Sequence, residues 1–117
     1  MPYDDEEEAL PYTTIGTEEA KHMIEAGAHV IDVRMPEEWH RGHIAEAELV
    51  PITGIYSFGK ALKELNLPPD EDVIFVCASG QRSASASEIA LVTGLTKVYN
   101  LANGMNGWMS RRYPIER

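Results

Sequence analysis

The chain has 117 residues, 44% of them hydrophobic, and 10 basic against 19 acidic residues give a formal net charge of −9, which suits one compact acidic domain. That charge argues against nucleic acid and anionic membrane surfaces, both of which select a basic face, and no apolar run approaches the roughly 18 residues of a membrane span. A single cysteine excludes an internal disulfide and a multi-thiolate metal site.

The opening "MPYDDEEEAL" is acidic and lacks the basic and apolar regions of a signal peptide. It is expected to be a solvated arm over residues 1–10, with one folded domain over 11–117 and a cytoplasmic location. "TIGTEEAKHMIEAG" reads as a helix capped by Gly16 or Thr17 and stopped by Gly27, with Glu18 and Glu19 at the positive end of its dipole. "HVIDV" is a short β-branched run of the kind found in buried strands. In "RMPEEWHRGHI", Pro36 fits a first helical position and Gly42 ends a short helical turn. "LVPI" reads as a brief extended piece, and "FGKALKELNLPP" as a helix that places Leu62 and Leu65 on one face. "DVIFVC" is the clearest strand in the chain. Ser83 to Thr93 reads as a helix ended by Gly94, "KVYNL" as a last strand, and "GMNGWMSRR" as a short terminal helix. Strands alternating with helices predict an α/β fold, its sheet mostly parallel and covered on both faces.

In such folds ligands bind at the carboxyl ends of the strands, and Cys77 stands at one. Gly80 lets the following loop bend with positive φ, so that successive N–H groups point inward as an anion-binding nest. The next helix N-terminus adds more N–H groups, and Arg82 a permanent charge. All of these favour a thiolate. A lone cysteine is ordinarily a small buried hydrophobe; the strand–loop–helix setting with Gly80 and Arg82 points instead to a nucleophile. The small side chains of "SASAS" let the helix approach the sheet closely.

"CASGQRS" resembles the active-site loop of the rhodanese-like domain family of sulfurtransferases. "VIDVRMPEEWHRGHIAEAELVPI" resembles that family's first signature, and "VYNLANGMNGWMSRRYPI" its C-terminal one. Three motifs in order cover about residues 12–115. Two positions depart from the pattern: Asn103 stands where a glycine commonly precedes Gly104, and Glu46 replaces a frequent glycine. Four residues separate Cys77 from Arg82. Cysteine phosphatases of related fold have five, so the shorter loop suits a single transferred sulfur rather than a phosphoryl group.

The resemblance implies a mostly parallel sheet of about five strands. It implies a Cys77 persulfide, loaded by a sulfane donor such as thiosulfate and unloaded by a thiol or cyanide. Ala78, Ser79, Gly80, Gln81, Arg82 and Ser83 would cradle it, with no cofactor and no metal. Arg82 would order the loop or bind the donor. Because Ala78 and Ser79 are uncharged, thiosulfate is a less secure donor here than in loops carrying two basic residues. Asp32 and Arg34 flank a strand end; Arg34 is expected to pair with Glu37 or Glu38, and Asp32 to support the loop from behind. His40 and His43 read as structural hydrogen-bonding groups, Trp39 and Trp108 as core or rim aromatics. The alternatives are a persulfide carrier serving a dedicated protein partner, a phosphatase or arsenate reductase, and an inactive regulatory domain.

Overall fold

A computed structural model describes residues 11–117, so the expected acidic arm over 1–10 lies outside the described residues. Five strands form one sheet: β1 (Thr13–Ile15), β2 (His29–Asp32), β3 (Ala47–Leu49), β4 (Val73–Val76) and β5 (Val98–Leu101). Their order is β1-β5-β4-β2-β3, and every pairing is parallel. β4 is therefore the central strand, and all four of its residues are buried. A strand with neighbours on both edges and helices on both faces can afford no polar side chain, which explains the run "VIFV".

Five helices complete the domain: α1 (Thr17–Glu25), α2 (Pro36–His40), α3 (Ile55–Glu64), α4 (Gln81–Val92) and α5 (Gly104–Ser110). Side chains alternate across the sheet, and two cores result. On one face Ile31, Val73, Phe75 and Val98 pack with Phe58 and Leu62 of α3 and Ala86 and Ala90 of α4. On the other, Ile15, Val30, Ile74, Val76 and Leu101 pack with Ala20 and Ile24 of α1 and Met105 and Trp108 of α5. The face of α4 against the sheet carries Ser83, Ala86, Ser87 and Ala90, all fully buried. Their small volumes allow the close approach anticipated from "SASAS". Among the described residues no helix is long and apolar enough to cross a membrane.

Several boundaries differ from expectation. Thr13–Ile15 forms an edge strand against β5, where no strand was anticipated; three residues with two exposed carry too short an alternation to read. The extended piece expected at "LVPI" is Ala47–Leu49 instead. The helix expected from Ser83 begins two residues earlier, at Gln81, because Gly80 rather than a side chain ends the loop.

Candidate active site

The parity of β4 fixes where Cys77 points. Val73, Phe75 and Cys77 share the face covered by α3 and α4. Cys77 is 1% exposed, so its sulfur lies within the loop rather than on its surface. The loop turns at Gly80, whose φ of 103° is left-handed; a Cβ there would collide with the Ala102 carbonyl. Only glycine meets both demands. The turn brings the chain back over the sulfur. The Gly80 N–H donates to Cys77 Sγ at 3.1 Å, the Ser83 N–H donates at 3.3 Å, and the Ser83 hydroxyl lies 3.3 Å away. Burial pushes the Cys77 thiol up, but the bonds from Ser83, Gly80 and Ser79 outweigh it and hold the group below its ordinary value. The site is thus built to stabilise anionic sulfur.

Ala78 is half-buried, and Ser79 and Gln81 are exposed at the rim, where the Ser79 hydroxyl donates to Gln81 Oε1. Of the two roles expected for Arg82, ordering the loop or binding the donor, its contacts are with the protein. Its Nη1 and Nη2 donate to Glu38 Oε1 and Oε2 at 2.8 and 2.9 Å. The loop arginine therefore pairs with α2, and the groups that favour the thiolate are hydrogen-bond donors rather than a free guanidinium. Glu38 also accepts the Met35 N–H at 2.9 Å, so one carboxylate caps α2 and ties it to the loop. The Arg82 bonds, with smaller help from Met35, hold Glu38 down at about 2.

The expected pairing of Arg34 with Glu37 or Glu38 is corrected in consequence. Arg34 Nε and Nη2 donate to Asp32 at 3.0 and 2.8 Å, and Nη2 also donates to the Gly42 carbonyl at 2.8 Å. Both side chains are buried. Asp32 lies two residues away at the end of β2, where the buried guanidinium satisfies a carboxylate that has no access to water. The pair pins the chain between β2 and Gly42. His43 stacks on Trp39, with ring centroids 3.6 Å apart, and its Nδ1 lies 3.0 Å from the Trp39 carbonyl; both serve the same turn. Trp108 is buried and donates to the Pro114 carbonyl at 2.8 Å.

The residues that buttress the loop from below escaped the sequence reading. The N–H groups of Met105 and Asn106 donate to the carbonyls of Cys77 and Ala78 at 2.8 and 3.0 Å. Gly104 opens α5 at φ 53°, and a Cβ there would strike the backbone of Cys77 and Ala78. Asn100 is buried on β5 and donates from Nδ2 to the Gly80 carbonyl at 3.2 Å; its Oδ1 has no partner among the described residues. An asparagine on the inward parity of "VYNL" was the available signal. Among the described residues no three His, Cys, Asp or Glu side chains gather to hold a metal.

The rhodanese-like domain profile matches residues 16–111. Thiosulfate sulfurtransferase 18 of Arabidopsis thaliana is 29% identical over 111 residues, covering 87% of this chain and 82% of that protein. Thiosulfate sulfurtransferase GlpE of Pseudomonas paraeruginosa is 30% identical over 105 residues, covering 90% of each. Other relatives are longer: the chain spans 61% of one and 28% of another. The crystal structure of a rhodanese-related protein from Thermoplasma volcanium superposes with a TM-score of 0.74 at 31% identity, covering 90% of this chain and 98% of that one. A match over most of the chain, on a parallel sheet with this strand–loop–helix at its centre, gives the assignment: the chain belongs to the rhodanese-like domain family, with a sulfurtransferase or sulfur-carrier role.

Proposed function

We propose that the protein is a sulfurtransferase that moves a sulfane sulfur through a persulfide on Cys77. The convergence of the Gly80 N–H, the Ser83 N–H and the Ser83 hydroxyl on Cys77 Sγ carries this reading. These donors are in place before any substrate arrives, so the thiolate and the persulfide anion are stabilised with little reorganisation. The thiolate attacks the outer sulfur of a donor such as thiosulfate, and the donor's S–S bond breaks with its electron pair leaving on sulfite. A thiol acceptor, on a small molecule or a protein, or cyanide then attacks the outer sulfur and returns Cys77 as thiolate. Relatives named thiosulfate sulfurtransferase support the reaction class. Four residues between Cys77 and Arg82 favour sulfur over the larger phosphoryl group.

The test is intact-mass measurement after mixing the protein with a sulfane donor and no acceptor. The expected result is the gain of one sulfur atom, removed by cyanide and absent in Cys77→Ser. No adduct with any donor would overturn the proposal. Stoichiometric loading with negligible turnover to small acceptors would leave the carrier role in its place.

A further inference from the structure

The loop arginine and the arginine at the end of β2 are both engaged. Arg82 gives two hydrogen bonds to Glu38, and Arg34 is held by Asp32 and the Gly42 carbonyl. Ala78, Ser79 and Gln81 carry no charge, and the chain as a whole is at −9. The groove that runs from Arg82 is lined by Ile52, Ile55, Ser85, Glu88 and Ile89 among others, so its one further charge is negative. Ile55 and Met35 stand exposed near the site. A loop built to hold one anionic sulfur therefore opens onto a groove in which, among the described residues, Arg82 is paired with Glu38 and Glu88 is the other charge. A dianion must approach against the field of an acidic protein. A persulfide of lower net charge, above all one whose organic part is cationic, meets less opposition.

Resting on the sulfurtransferase reading of Cys77, we infer that Glu38 sets donor specificity. By holding Arg82 in a two-pronged pair it selects against dianionic inorganic donors and leaves the site selective for organic persulfides of low net charge. In that reaction the Cys77 thiolate forms a bond to the outer sulfur of R–S–SH. The bond between its two sulfurs breaks, and the pair leaves on R–S⁻. The proton stays with the transferred sulfur or passes to solvent, and no outside oxidant or reductant is used. Glu38 acts through Arg82 and is a positioning residue.

The experiment follows loading of Cys77 by intact mass in single turnovers, with thiosulfate and with cysteamine persulfide. It compares wild type, Glu38→Gln and the double variant Glu38→Gln/Arg82→Ala at several salt concentrations. Gln keeps an acceptor for the Met35 N–H but releases the charge of Arg82. Wild type should load from cysteamine persulfide with a second-order constant about tenfold or more above that for thiosulfate. Glu38→Gln should raise the thiosulfate-to-persulfide ratio on the order of tenfold, the gain should fade with salt, and the double variant should lose it. A wild-type preference for thiosulfate overturns the inference, and this measurement needs no variant to fold. An unchanged ratio in folded Glu38→Gln, or a raised ratio that survives in the double variant, also overturns it. Equal loading from both donors removes the specificity alone, whereas no adduct from either removes the sulfurtransferase reading with it.

Discussion

Ser83 presents both its backbone N–H and its hydroxyl to the sulfur of Cys77, each at 3.3 Å. One residue thus supplies two of the donors, from the first turn of α4. Ser83→Ala removes the hydroxyl and keeps the N–H. The side chain is fully buried and the change is nearly isosteric, so the fold should persist. Losing a hydrogen bond to a charged group, about 1.5 kcal/mol, should slow sulfur transfer on the order of tenfold and move the thiol's ionisation upward. Steady-state rates and the pH dependence of alkylation check both. Transfer at the wild-type rate would show that the hydroxyl serves packing only.

The same donors set a pH signature. Their bonds outweigh burial and hold Cys77 below its ordinary value, so thiolate absorbance in the sulfur-free protein should rise with a midpoint below the roughly 8.5 of a free cysteine. The linkage follows. An acid depressed in the folded state contributes stability that is complete above its unfolded value and lost as pH falls through its folded one. Between those two values the wild type should gain denaturant resistance relative to Cys77→Ser as pH rises. A midpoint at or above that of free cysteine would mean that the loop does not activate the residue.

The two arginines should part company when each is truncated. Arg34→Ala leaves Asp32, 0% exposed, as a buried carboxylate without its partner, and should cost about 3–5 kcal/mol. Arg82→Ala breaks a pair whose side chains are 39% and 25% exposed, which should cost about 1 kcal/mol or less. Urea unfolding of both variants decides it, and equal losses would contradict the burial difference.

Much of the fold was legible because its determinants are local. "VIFV" needs no context to read as a buried strand, and Gly80 between Cys77 and a run of small residues marks the turn. What stayed hidden depends on contacts distant in sequence. Arg34 lies three and four residues from Glu37 and Glu38, a spacing that invites a local pair, yet the carboxylate it meets is Asp32. Glu38 is claimed instead by Arg82, 44 residues on. The helical spacing misled because β2 and β4 are adjacent, which sets α2 beside the loop and gives Glu38 to Arg82. The support from α5 is carried by backbone N–H groups, which no side-chain pattern reveals.

The contacts beneath the loop, from β5 and α5, make their own prediction. Asn100 holds the Gly80 carbonyl at the point where the loop is most constrained. Asn100→Ala should cost about 1–2 kcal/mol and reduce transfer by loosening the Gly80 N–H over the sulfur. Gly104→Ala forces a side chain onto the Cys77 and Ala78 backbone and should impair both folding and transfer more severely. Thermal unfolding alongside single-turnover loading separates the two effects. A folded Asn100→Ala protein with wild-type loading would show that the loop holds its shape without this bond.

Acid weakens the link between α2 and the loop. Arg82 and the Met35 N–H together hold Glu38 at about 2, against 4.5 for an ordinary glutamate. A carboxylate depressed on folding contributes stability that is present above its unfolded value and lost as pH falls through its folded one. The window for Glu38 therefore runs from about 4.5 down to about 2. Because the pair is partly exposed, solvent screening limits its contribution to about 1 kcal/mol or less. Other carboxylates titrate in the same range, so the informative quantity is the difference between wild type and Glu38→Gln. That difference, from urea midpoints, should be constant above about pH 5 and shrink as pH falls through the window. A difference that does not vary with pH would mean that the paired charge contributes nothing, and that Glu38 matters only as an acceptor for Met35.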